Sequence, residues 1–293
     1  MSRYRLHEVL VAQARPSAGL GRLAMGIVLI VAGFLMLNVV YFQLFQQLSD
    51  FDVFLVELSD GATPRALWAM LGNFLPLLVV LGVVLRMVHD RGLMSLFGPR
   101  VLLRLDFRRV LRPLVWLFVV VMLLPGSGLL QPERNMDLGA WLMLAPVSLA
   151  LILVQVTTEE LVFRGYLQSQ LAARFNTPLV WMVLPSLLFG LLHYDPLTYG
   201  PNAWPLVLWS VGFGLAAADL TARAGNLGPA IALHLANNVS ALMITSTQGY
   251  WDGLALYVVP FGPEDIDMVR ALLPVEALMI LCCWLVARIA IRR

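Results

Sequence analysis

Polar residues in this chain do not alternate with apolar ones at a short period; they collect at the ends of long apolar runs. Eight runs stand out, at residues 23–45, 66–88, 111–130, 141–162, 178–194, 204–220, 227–244 and 272–290. Each falls near the roughly 17–25 residues with which a helix crosses a bilayer core. In hydrocarbon the backbone must satisfy its own hydrogen bonds, and the period-2 pattern of a barrel is missing, so the runs predict helices. The expected fold is all-α, a polytopic membrane protein of eight transmembrane helices. Residues 1–22 read as a cytoplasmic N-terminal tail and 23–291 as a single membrane domain. The first run is too long for a signal-peptide core and has no small-residue cleavage site, so it is read as a span.

Composition agrees: of 293 residues, 60% are hydrophobic and only 13% charged. All twenty basic residues are arginine, which points to a GC-rich bacterial genome. With the N-terminus inside, the eight-span scheme puts seventeen arginines on the cytoplasmic side and only Arg65, Arg134 and Arg270 opposite. That asymmetry predicts a multi-pass inner (plasma) membrane protein with both termini cytoplasmic. The outer loops carry acids instead, among them Asp50, Asp52, Glu57, Asp60, Glu264, Asp265 and Asp267. The basic connector 86–112 interleaves arginine with apolar residues and is expected to lie as an amphipathic helix on anionic headgroups. Its juxtamembrane place accounts for its charge, so no nucleic-acid partner is expected. Adjacent Cys282 and Cys283 match no zinc spacing and read as small apolar fillers.

Charge inside a span costs on the order of 2.5–3.5 kcal/mol per group at the bilayer centre, so each such residue needs a reason. The candidates are Glu159 and Glu160, His193, Asp219, His234 and Glu276, with Asn237 and Asn238 one turn beyond His234. Asp219 and Glu276 read as structural. Glu160 and Arg164 are four apart and share a helix face, as do His234 and Asn238. Glu159 points about 100° away from Glu160. Three helices thus present polar groups inward, a set suited to activating water and stabilising an oxyanion. Singly, each piece also fits a helix clamp or interhelical polar glue.

"EELVFR", "FGLLH" and "HLANN" stand in that order on separate runs. They resemble the EExxxR, FxxxH and HxxxN motifs of the CPBP intramembrane proteases, the CAAX prenyl proteases of the Rce type and their bacterial abortive-infection relatives. The resemblance covers residues 147–240, within a catalytic core expected at about 140–245. It implies an intramembrane endopeptidase, a metalloprotease-like hydrolase acting on a hydrophobic or membrane-tethered peptide. It further implies that Glu159 is the general base, His193 its partner, His234 and Asn238 the oxyanion site, and that Arg164 holds Glu160. If a zinc ion takes part, Glu159, His193 and His234 would be its ligands. The soluble HExxH signature is missing and Asn238 suits an oxyanion better, so no obligatory metal is expected.

Two geometric expectations follow. Glu159 and His193 meet only if the fourth helix continues past Arg164 to about Phe175. A water-filled cavity, with Glu159, His193, His234 and Asn238 at its floor, is expected to open to the cytoplasm and to expose Leu161, Gly190 and Ala230. Two other readings compete: a non-catalytic membrane regulator of the same fold, and a proton-coupled transporter, which the lack of a visible repeat disfavours.

Overall fold

The computed structural model describes residues 3–124 and 131–292. The helices are α1 (Glu8–Ala14), α2 (Leu20–Gln43), α3 (Phe51–Asp60), α4 (Pro64–Gly72), α5 (Phe74–His89), α6 (Arg100–Leu123), α7 (Leu138–Glu160), α8 (Ser169–Arg174), α9 (Leu184–Leu191), α10 (Pro196–Tyr199), α11 (Ala203–Ala224), α12 (Gly228–Val239) and α13 (Ile266–Ile291). Every apolar run lies in a helix, although the predicted end of the third, 125–130, is outside the described residues. Five helical stretches are long and apolar enough to cross a membrane: Leu20–Gln47, Pro64–His89, Leu138–Arg174, Pro196–Ala224 and Ile266–Ile291. Leu179–Leu191 and Gly228–Ile244 are shorter apolar helices. The protein is therefore an all-α polytopic membrane protein.

Side chains start and stop these helices. Asp137 accepts from the backbone N–H groups of Gly139 and Ala140 to open α7, and Asp265 caps α13 through Met268 N–H. Both satisfy donors that a helix N-terminus leaves free. Gly225 ends α11 at φ 67°, packed so closely on the Leu6 carbonyl that a Cβ would collide with it. A left-handed cap at such close approach calls for glycine.

The connector does not form a separate surface helix. The chain makes a 3₁₀ turn at Leu93–Leu96, and α6 then runs unbroken from Arg100 into the third apolar run. One face of α6 buries Asp106, Val110 and Leu114, and α6 packs along α12. Arg104, Arg108 and Arg112 stay exposed on the other. Burying a stripe against α12 aligns this basic stretch with the bundle instead of the headgroup plane.

Residues 4–17, read as part of a tail, are folded onto the end of the bundle. Tyr4 Oη donates to Asp219 at 2.9 Å, and the buried His7 ring lies 4.8 Å from that of Trp181. Ser17 Oγ is 2.9 Å from His89 Nδ1, whose Nε2 is 2.9 Å from Tyr166 Oη. At the opposite end three short strands form a sheet the pattern did not announce. β1 (Glu133–Arg134) runs antiparallel and β2 (Thr245–Thr247) parallel to a central β3 (Tyr257–Val259). Strands of two or three residues carry no readable alternation. Their effect is to hold the loop after β2 against the start of α4.

Candidate active site

Three helices meet at the site, and each contains a π turn. α7 passes through Leu161–Gln168 into α8, so one helix runs to Arg174 as the geometry required. α9 follows the π turn Leu179–Val183, and α12 leads into Ser240–Ile244. Extra residues of this kind re-aim side chains and recur at functional sites.

On α7, Glu160 is fully buried. Its Oε1 is 3.2 Å from Arg164 Nη1 and 2.8 Å from His234 Nδ1. Arg164 is buried too, donates from Nη2 to the Gly214 carbonyl at 3.3 Å, and lies 4.6 Å over the Phe189 ring. Glu159 turns the other way and lines a cavity of about 620 Å³. Its Oε1 accepts from Gln155 Nε2 at 2.8 Å. Its Oε2 has no hydrogen-bond partner, and His234 Nε2 stands 3.5 Å off. His234 therefore sits between the two carboxylates, with the Phe213 ring 4.9 Å and the Phe189 ring 6.1 Å away.

Asn238, one turn beyond His234, donates from Nδ2 to Gln155 Oε1 at 2.8 Å, and its Oδ1 accepts from Asn237 at 3.2 Å. With these amide orientations, set by the hydrogen-bond network, a second N–H of Asn238 is left over. His193 lines the same cavity but is exposed, bonded through Nδ1 to the Phe189 carbonyl at 2.8 Å. The structure thus gathers Glu159, Glu160, Arg164, His234 and Asn238, with His193 on the cavity wall. The histidine in contact with Glu159 is His234. Among the described residues no group of three or more His, Cys, Asp or Glu is arranged to hold a metal. Glu159, His193 and His234 are thus not brought together as a zinc set.

Sequence reasoning missed Gln155, which ties Glu159 to Asn238. Its signal was a lone amide within "LILVQVTTEE", four residues before Glu159 and so on the same face.

Relative to the N-terminal segment, the cavity lies at the other end from the one given by the second expectation. Its wall includes Asp195, Tyr199, Tyr250 and Trp251, all at the end far from the N-terminus. Leu161 and Ala230 are completely buried and Gly190 is buried. Residues 4–17 and the 91–99 loop close the near end: Leu227 N–H donates to the Phe97 carbonyl at 3.1 Å, and Leu96 packs on Gly165. A larger, separate hollow of about 790 Å³ between α11 and α13 is almost wholly apolar apart from Asp219 and Arg270. Glu159 lines the smaller one.

Residues 141–240 match the family described as Type II CAAX prenyl endopeptidase Rce1-like. The chain is also 30% identical over 141 residues to the uncharacterized protein YyaK of Bacillus subtilis (strain 168), a match that covers 47% of this chain and 46% of that protein. The matched stretch thus spans about half the length of this curated relative. No solved structure matches. The stretch 141–240, which holds Glu159, Glu160, Arg164, His193, His234 and Asn238, is an Rce1-like segment of the CPBP family.

Proposed function

We propose that the protein is an intramembrane endopeptidase that hydrolyses a peptide bond in a hydrophobic or membrane-tethered peptide, with Glu159 as general base. The observation that carries this reading is Glu159, which lines the cavity and keeps a buried Oε2 with no hydrogen bond, beside His234 and Asn238. A carboxylate within reach of water and of the substrate carbonyl takes the water's proton as the oxygen attacks. The oxyanion that forms is met by the spare Nδ2–H of Asn238 and, because Nδ1–H of His234 is given to Glu160, by Nε2–H of His234 with both ring nitrogens protonated. His193, on the cavity wall, helps Glu159 hold the attacking water. The proton then passes from Glu159 to the departing amine as the C–N bond breaks. Glu160 and Arg164 hold His234 and the helix in place behind the reacting groups.

In the same reading the chain crosses the inner membrane eight times as one domain, 23–291, with both termini cytoplasmic. The arginine asymmetry supports this orientation, and it turns the cavity mouth to the outer side. The test compares peptide termini in membranes from cells carrying the natural chain or Glu159→Gln. Cleaved termini seen only with the natural chain are expected; identical sets of termini would end the proposal.

A further inference from the structure

The cavity has two chemically distinct ends. Glu159, His234 and Asn238 sit at the inner one; Asp195, Tyr199, Tyr250 and Trp251 line the mouth. The mouth is a built feature. Asp195 Oδ1 accepts from the Leu197 and Thr198 N–H groups, each at 3.1 Å. Bonds from the Thr198 hydroxyl and these N–H groups hold its carboxyl below the ordinary range, so it stays charged. The Tyr199 and Tyr250 rings meet edge to face at 6.0 Å, and Trp251 follows Tyr250 at 6.0 Å.

Trp251 is left-handed, at φ 55°. A bulky side chain rarely adopts that backbone. Here it is imposed: Trp251 N–H donates to the Asp60 carbonyl at 2.7 Å, and the Trp251 carbonyl accepts from Ser246 Oγ at 3.3 Å. On either side, Gly249 N–H is tied to Asp252 at 2.7 Å and Gly253 N–H to the Gly61 carbonyl at 3.1 Å. Strain of this kind persists only where the surroundings over-determine it, and it gathers at ligand sites. Its result here is an indole on the cavity wall.

Apart from His193 and His234, the ionisable charge of the lining is one-sided. Its ionisable acids are Glu159 and Asp195, and among the described residues no arginine lines it. The chain has no lysine, and Arg164 stands behind Glu160. A free peptide carboxylate would meet two carboxylates there. A cation at the mouth would meet aromatic faces and a charged acid, the combination that attracts ammonium and guanidinium groups.

We propose that Asp195, Tyr199, Tyr250 and Trp251 form a subsite for a cationic side chain. The segment brought to Glu159 is then an internal stretch of peptide with a lysine or arginine near the scissile bond, not a free carboxyl terminus. This rests on the endopeptidase reading, and one experiment separates the two. The full chain in phosphatidylcholine nanodiscs is given apolar, end-blocked dodecapeptides carrying one lysine at successive positions, their glutamine and glutamate counterparts, and versions with a free carboxyl end. Binding is measured on Glu159→Gln by anisotropy of a fluorescent tag, and cleavage on the natural chain by mass spectrometry. The best lysine peptide is expected to bind about tenfold tighter than its glutamine twin, and the glutamate twin weakest. Asp195→Asn, which keeps the turn's acceptor oxygen, and Trp251→Gly, which suits φ 55°, should each remove most of that preference. No lysine preference, or one that survives both substitutions, overturns the subsite. Preferential binding without cleavage would uphold the subsite and sink the endopeptidase reading; cleavage without preference would do the reverse.

Discussion

Two carboxylate clusters sit in this bundle, one at its N-terminal end and one in its interior, and they differ in how many donors each acid has. At the N-terminal end Asp219 accepts from Tyr4 Oη, from Arg223 Nε through both oxygens, and from Trp284 Nε1 at 3.0 Å, with Arg288 3.7 Å away. Its acceptor capacity is filled, and it joins the N-terminal segment, α11 and α13. Around the cavity, Glu159 has a single donor and one oxygen with none. A saturated carboxylate anchors helices; an under-coordinated one beside a cavity retains the capacity to take a proton. Glu160 also leaves its Oε2 unpaired but does not line the cavity, so in the proposed mechanism an open donor count and a place on the cavity wall together single out Glu159.

The largest expected break in this contrast is Glu159→Gln. The amide keeps the shape and loses the basic oxygen, so turnover should fall by about 10²–10⁴-fold with the melting temperature in detergent unchanged. A purified variant with natural turnover would take Glu159 out of the mechanism. Asp219→Ala should do the opposite. It strips a buried pair of one partner, at about 3–5 kcal/mol, and should appear as a lower melting temperature and faster proteolysis near Tyr4. If its thermal stability matches the natural protein, Asp219 is no anchor.

A third prediction probes the N-terminal cluster through His7. Burial lowers its imidazole to about 4, against about 6.5 in an unfolded chain. Between those values the undocked segment binds a proton that the docked one refuses. Docking stability is therefore full above about 6.5 and is lost as pH falls toward about 4, by about 3 kcal/mol at most. Hydrogen-exchange protection of residues 5–17 should drop from pH 7.5 to 4.5, and His7→Phe should flatten the change. A drop of equal size in His7→Phe would point to another group.

The smallest effect is assigned to Gln155→Leu, which removes the link between Glu159 and Asn238. Turnover should fall about tenfold, the loss of roughly one hydrogen bond to a charged group, with KM little changed. A change confined to KM would move Gln155 from the reacting groups to substrate binding.

Much of this architecture was legible in the chain. The helices follow from apolar runs, because length and hydrophobicity alone determine what lies in lipid. Glu159, Glu160, His193, His234 and Asn238 drew notice because polar groups inside such runs are costly. The docking of residues 4–17 was hidden because it uses single polar groups, Tyr4, His7 and Ser17, and an apolar stripe of only Leu10, Val11 and Ala14, too short to stand out as a span. The cavity's mouth was misread for the same reason: nothing in "ARAGNLGP" shows that Gly225 is pressed against the Leu6 carbonyl. Gln155 was passed over because an isolated amide in a span usually serves as polar glue.

The π turns have a consequence for insertions and deletions. A helix acquires such a turn by taking in a residue that the α spiral has no place for, and removing one residue there restores the spiral. Deleting that residue leaves the flanking faces in phase, whereas forcing all of Leu161–Gln168 onto the α spiral would rotate everything beyond by about 100° relative to Glu159. Tyr166 would then lose His89, and Gln170 would lose Ser17. The two carboxylates would stay where they are, but the closed end of the bundle would no longer fit. A helical wheel drawn straight through residues 155–174 therefore puts the second half on the wrong faces, and relatives that lack the extra residue should be aligned with a gap there.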